Sequence, residues 1–290
     1  MNIAYLDYAC KAGESRGDYS DAFFPDCPSL PRKSNVFALS DGTTQGMLNR
    51  EWANILVKSF ADLAQSRLDI REVLLRTIDS SIEQWESIRQ QYVARKNSVL
   101  DENEYRWLFE YGSHATFLGL RFGSGYWEAV AIGDTCLFVL GREVTCFPIQ
   151  EPSSFTDSPK LISSLRNRNA NIDQDTICIK KELEKGNTFY LMTDALAHWF
   201  LSEYTMDKEP WNQISESLDY AGCVALAKRQ TKPERARRIL GGLFRRLKGS
   251  VSLVARNAPS TSASFRDWVG ELRESAGLVN DDTTLMILKP

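Results

Sequence analysis

The chain has 290 residues, of which 43% are hydrophobic and 25% charged, and a formal net charge of −3. That is apolar material for one sizeable core or two small ones, with no global pull towards nucleic acid or an acidic membrane surface. Six cysteines without a C-x-x-C pair argue against a zinc knuckle or a thioredoxin-type motif, and for reduced thiols in a cytoplasmic protein. No signal peptide is expected at the start of the chain, and no apolar run of about 18 residues predicts a transmembrane helix.

In chain order, residues 2–8 read as a first strand and the Gly-, Ser-, Asp- and Pro-rich stretch 11–34 as loop. The compact apolar run 36–40 (VFALS) stops at Asp41-Gly42, a buried strand ending in a turn. Two amphipathic helices follow over 47–67 and 70–93, the first carried by Leu48, Trp52, Ile55, Leu56, Phe60 and Leu63. From Gly112 the pattern changes to short β-type runs at 115–122, 126–132, 135–140 and 143–147, punctuated by Gly-containing turns, which predicts an antiparallel meander. Strands at 176–180 and 188–192 come next, then helices over 195–204 and from near Trp211. A last helix at 265–276 and a strand at 283–288 close the chain. This order predicts an α+β fold, with sheets packed on each other and helices outside.

The informative feature is where the acidic residues fall. Asp41 and Asp194 each end an apolar strand, Asp281 precedes one, and Asp134 sits in a Gly-Asp-Thr turn between two. Strand ends let a rigid scaffold aim side chains at a common point. Carboxylates gathered there repel unless cations lie between them or some hold protons. With His114 and His198 the only histidines, an oxygen-rich site for hard cations such as Mg²⁺ or Mn²⁺ is expected. Taken singly, each Asp-Gly is ordinary turn chemistry. The case rests on all of them occurring in order.

These segments together resemble the metal-dependent protein phosphatases of the protein phosphatase 2C type, from about Arg16 to Leu288. The matching stretches are Arg16-Gly-Asp-Tyr-Ser-Asp21-Ala22, Val36-Phe-Ala-Leu-Ser-Asp41-Gly42 with Gly46 beyond, Gly112-Ser-His-Ala-Thr116, Gly133-Asp134-Thr135, Leu191-Met-Thr-Asp194-Ala195 and Asp281-Asp282-Thr283-Thr284. The resemblance implies one domain over 1–290, a four-layer αββα sandwich of two antiparallel sheets flanked by helices. It implies a protein serine/threonine phosphatase that uses two Mn²⁺ or Mg²⁺ ions, and Asp134 is the residue a third would use. Asp41 would bridge both metals, Gly42 would offer its backbone carbonyl, and Asp21, Asp194 and Asp281 would complete the shells. Arg16 would hold the substrate phosphate, a task suited to a guanidinium fork. A metal-bridging water would attack phosphorus in line. Implied partners are a phosphorylated protein substrate and a cognate serine/threonine kinase, with neither membrane nor nucleic acid.

Some residues depart from the family pattern. Ala195 replaces a usual Gly, which is tolerable where φ is negative. Asp282 replaces a usual Asn and adds negative charge near the site. Tyr19 stands where bacterial members often carry Asn. His198 reads as an ordinary helix residue beside Trp199, and His114 as a packing residue. The haloacid-dehalogenase motif is set aside because its nucleophilic Asp would fall on Leu39. A basic stretch at 228–248, in a helical or mobile insertion spanning about 228–264, reads as a solvated helix face or a partner-docking helix. The rival to an enzyme is a catalytically inactive relative that acts as a regulatory or binding module.

Overall fold

The structure, a computed structural model, describes residues 1–15, 18–25, 33–96, 99–218 and 265–290. Arg16 and the insertion at about 228–264, with its basic stretch at 228–248, lie outside the described residues.

The strands are β1 (Asn2–Ala9), β2 (Ala22–Phe24), β3 (Val36–Ser40), β4 (His114–Ala115), β5 (Phe117–Phe122), β6 (Tyr126–Ile132), β7 (Cys136–Leu140), β8 (Val144–Phe147), β9 (Ile162–Ser163), β10 (Ile177–Glu182), β11 (Thr188–Met192) and β12 (Thr283–Lys289). The helices are α1 (Asn49–Leu63), α2 (Ile70–Arg95), α3 (Glu102–Arg106), α4 (Ile172–Asp175), α5 (Asp194–Thr205), α6 (Pro210–Ser217) and α7 (Phe265–Ser275). One five-stranded sheet runs β1-β12-β11-β7-β8 and the other β10-β6-β5-β3-β2, with every pairing antiparallel.

Three apolar clusters define four layers. One joins α1 and α2 to the outer face of the β3-containing sheet, through Trp52, Phe60 and Trp85 against Val36, Phe117 and Val130. A second lies between the sheets, with Phe37, Leu39, Leu118, Leu137, Phe189 and Met286. The third packs α5, α6 and α7 on the other sheet, through Phe200, Trp211 and Trp268 against Phe138, Tyr190 and Leu285. Both sheets are thus covered on both faces, which is why strands such as VFALS read as continuous apolar runs rather than as polar–apolar alternation. In β3, Phe37 and Leu39 face the other sheet while Val36 and Ala38 face the helices.

Register places one end of every central strand at the same edge. Ala9 pairs with Thr283, Met192 with Leu285 and Cys136, Ala22 with Ser40, and Phe117 with Ile132. The connections that leave this edge carry the aspartates singled out above.

Several local features differ from the sequence expectation, among them the unassigned β9 and α4. The 11–34 loop contains β2, whose three residues are too few to show a period and are ordered by pairing with β3. The expected 115–122 strand breaks at Thr116, whose carbonyl accepts the Ser40 hydroxyl at 2.6 Å and whose own hydroxyl meets that of Thr135 at 2.6 Å. Between α2 and β4, residues assigned to no element form α3, capped by Asp101 and Glu104 in a reciprocal box, and a π-helical turn at Trp107–Tyr111. Among the described residues, Cys136, Cys146 and Cys178 are free thiols. Among the described residues no helix is long and apolar enough to cross a membrane.

Candidate metal centre

Asp41 follows the last residue of β3, Asp134 fills the turn from β6 to β7, and Asp194 opens α5 one residue beyond β11. Asp281 stands two residues before β12, and Asp21 immediately before β2. Asp41, Asp134, Asp194 and Asp281 line one cleft of about 940 Å³ at the shared edge of the sheets. Asp21 lies beneath its floor, 2% exposed. A smaller groove of about 460 Å³ beside α2 shares no lining residue with this cleft.

The electrostatics are those of crowded acids in a dry place. Burial first, and then the charges of Asp21, Asp194 and Asp281, push the Asp41 carboxyl well above the usual carboxylate range. Asp21 is pushed up to about 8, chiefly by burial and further by the charge of Asp282, although the Thr284 hydroxyl works the other way. Asp194 reaches about 7, from burial and then from Asp134 and Asp281. Asp134 reaches about 6, from burial and then Asp281.

Among the described residues, Asp21 is the acid of this cluster with a buried oxygen that has no partner. Asp21 Oδ2 accepts the Thr284 hydroxyl at 2.6 Å, whereas Asp21 Oδ1 is buried without a hydrogen-bond donor. Such an orphan is costly unless a cation or a proton meets it. Among the described residues no three His, Cys, Asp or Glu side chains form a closed cage, and bare carboxylates at this spacing repel rather than close up. An all-oxygen donor set with an orphaned acceptor fits a hard divalent cation that keeps several waters, not a thiolate- or imidazole-bound one.

No family model matches the sequence, and no curated protein matches it. The structure is similar to the serine/threonine phosphatase PstP/Ppp of Mycobacterium tuberculosis, with TM-score 0.50, 14% identity, and coverage of 98% of this chain and 96% of that one. The chain has the protein phosphatase 2C fold. Two further similar structures are the PPM Ser-Thr phosphatase MsPP of Mycobacterium smegmatis (TM-score 0.49, 12% identity, 99% and 98% of the two chains) and the photosystem II phosphatase PBCP (0.48, 14%, 98% and 97%).

Within this phosphatase 2C fold, a layer of hydroxyls missed by the sequence reading sits under the acids. Tyr19 donates to Thr284 Oγ1, which donates on to Asp21, so the residue found in place of Asn starts a buried relay. Thr193 Oγ1 accepts the Thr284 amide at 2.9 Å, and Thr116 Oγ1 accepts the Asp41 amide at 3.3 Å. The only sequence signal was the threonine density of the motifs themselves. Asn49 was also missed. Its Nδ2 donates to the Thr43 and Gln45 carbonyls at 2.6 and 2.9 Å, and its Oδ1 accepts the His114 amide at 3.2 Å, which fixes the loop after Asp41. Gly42 is required there by close approach, because a Cβ would lie 2.7 Å from the Ser20 carbonyl oxygen.

Ala195 lies inside α5 and has no positive φ, so its methyl group is unstrained. His198 and His114 both line the cleft. The His198 ring stands edge-on to Phe155 at 5.2 Å, while burial and the neighbouring Arg168 hold His114 below its ordinary pKa. Trp107, Tyr111 and Arg168 complete the wall, and Arg168 is tied to the Glu110 carbonyl at 3.0 and 2.7 Å.

Asp282 is a clasp. Its Oδ1 accepts the Lys11 amide at 3.1 Å, and its Oδ2 accepts the Ser20 amide and hydroxyl at 2.8 and 3.0 Å. Both ends of the loop bearing Arg16 are therefore tied to the residue next to Asp281. Replacing Asp282 by Ala strands these three donors, each loss costing about 1–3 kcal/mol where water cannot substitute. Because all three donors are only part-buried and keep some access to water, Asp282→Ala is expected to lower the urea unfolding free energy by about 1–3 kcal/mol in total. An unchanged value would show that solvent replaces the clasp.

Proposed function

We propose that the chain is a metal-dependent protein serine/threonine phosphatase of the protein phosphatase 2C type. The observation that carries this reading is the convergence of Asp41, Asp134, Asp194 and Asp281 from both sheets on one cleft, with a buried oxygen of Asp21 beneath it left unpaired.

Asp41, the Gly42 carbonyl, Asp21, Asp194 and Asp281 would hold two divalent cations, with the charges of the other three carboxylates acting on Asp41. Divalent ions held there would supply a nucleophilic water near neutral pH and polarise the phosphoryl oxygens. The chain's own groups do the rest. Asp194, at the N-terminus of α5, is oriented by its bond to the Ala195 amide at 2.6 Å. The Tyr19–Thr284 relay fixes the Asp21 carboxyl so that its free oxygen keeps one direction. Arg16 would hold the phosphate by a two-point contact. His114, held largely neutral near pH 7, is suited to hydrogen bonding rather than to delivering a proton, and the leaving alkoxide would take its proton from water. A cleft this open, walled by Trp107, Tyr111 and Phe155, suits a phosphorylated loop of a protein better than a small metabolite, and a cytoplasmic serine/threonine kinase would supply it.

The test is hydrolysis of p-nitrophenyl phosphate and of a phosphothreonine peptide with Mn²⁺, Mg²⁺ or EDTA. Turnover that needs the ion supports the reading. A folded protein that turns over neither substrate with any divalent ion overturns it in favour of a regulatory module.

A further inference from the structure

We propose that Lys11 is a built-in counter-ion that competes with a divalent cation for Asp281; this rests on the metal-dependent reading above. Lys11 follows β1 at the cleft edge, and its Nζ lies 2.9 Å from Asp281 Oδ1 with only 12% of its side chain exposed. The same ammonium donates to the Thr44 hydroxyl, on the loop just after Asp41 and Gly42. It thereby bridges the two strand ends that carry Asp41 and Asp281.

The position of Lys11 is imposed by its backbone. Its amide donates to Asp282 Oδ1 at 3.1 Å, and the next amide, of Ala12, donates to Asn280 Oδ1 at 2.7 Å. The 11–12 segment is therefore pinned on both sides of Asp281, and the ammonium is delivered to that carboxylate. Burial works against its charge, but Asp281, Asp282 and Glu14 outweigh that effect and keep it protonated.

An oxygen that accepts an ammonium cannot also ligate a cation at the ~2.0–2.6 Å of a Mg²⁺ or Ca²⁺ bond without bringing two positive charges together. A cation that uses Asp281 must displace Lys11 or tolerate it alongside. Among the described residues no lysine or arginine is paired with Asp41 or Asp21, so an ion seated there meets no such rival. Lys11 thus weakens one of two cation positions and leaves the other alone. It also stabilises the cleft when the weaker position is empty.

The test is isothermal titration of Mn²⁺ into the full-length, EDTA-stripped protein at pH 7.5, for wild type, Lys11→Met, Lys11→Gln and Lys11→Arg. Met keeps the unbranched stem without the charge, and Gln keeps a donor for Thr44 should Met fold poorly. The neutral variants are expected to bind the weaker Mn²⁺ at least about ten-fold more tightly, a modest effect for removing one like charge, with Lys11→Arg close to wild type. In EDTA they should melt below wild type. Unchanged or weaker Mn²⁺ binding in both neutral variants, with wild type binding normally, overturns the role of Lys11 alone. No Mn²⁺ binding by wild type or any variant sinks the metal reading, and this inference with it.

Discussion

Asp41→Asn is expected to lower kcat/KM for a phosphothreonine peptide by about 10³-fold, because losing several kcal/mol of cation-mediated charge stabilisation corresponds to about one decade per 1.36 kcal/mol. Asn has nearly the shape of Asp but no charge, and it places an amide where an anionic oxygen must be shared. The same substitution should raise the melting temperature of the EDTA-treated protein. Asp41 sits in a buried cluster where Asp21, Asp194 and Asp281 all oppose its ionisation. Removing one charge relieves that repulsion, and an amide can donate to the orphaned Asp21 Oδ1. Loss of activity with a gain of stability marks a residue held in place for function. A variant that loses both activity and stability would instead make Asp41 structural, and one that keeps full activity would remove it from the metal centre.

The second large effect is on stability against pH. Asp21, Asp194 and Asp134 have folded-state values of about 8, 7 and 6 in the metal-free protein, raised in each case first by burial, against an ordinary value of 3.8. A carboxyl raised on folding binds its proton more tightly in the native state. Its contribution is therefore complete below about pH 4 and is lost as pH climbs through the folded value. The EDTA-treated protein is expected to melt at progressively lower temperature between pH 5 and pH 8. A divalent ion reverses this trend, because it stabilises the deprotonated carboxylates and protons compete with it less as pH rises. At a hundred times its dissociation constant an ion adds about 2.7 kcal/mol, or about 5–10 °C for a chain of this size. Thermal melts across this range, with EDTA and with Mn²⁺, check both parts. A metal-free melting temperature that is flat or rises with pH, and that Mn²⁺ leaves unchanged, would contradict the crowded-acid description of the cleft.

The two predictions meet at the same physical point. Five acids at one edge of a sandwich form a poor structural device and a good cation trap. The fold sustains them because its three apolar clusters lie elsewhere and because the acids rest on hydroxyls and backbone amides rather than on ion pairs. The exception is Asp281, where Lys11 supplies a positive charge within the chain.

The sequence by itself determined most of the elements and the address of each aspartate. Both are local properties: an apolar run of β-type residues that stops at Asp-Gly specifies a buried strand and its end, and helical spacing specifies α1 and α2 whatever lies around them. The family resemblance, rather than any local pattern, proposed Asp21 and Gly42 beside Asp41, Asp194 and Asp281 as metal ligands. What only the tertiary structure decided are contacts between residues far apart in the chain. β2 exists because β3 lies beside it. Thr116 breaks a strand because Ser40 and Thr135 claim it. Asp21 is held by Thr284 across 263 positions, and the Lys11 amide by Asp282 across 271. No pattern within a short window encodes such pairs, because each depends on the register that brings the strand ends to one edge. The convergence of the five carboxyls, the orphaned oxygen among them and the ammonium set against Asp281 follow from that register.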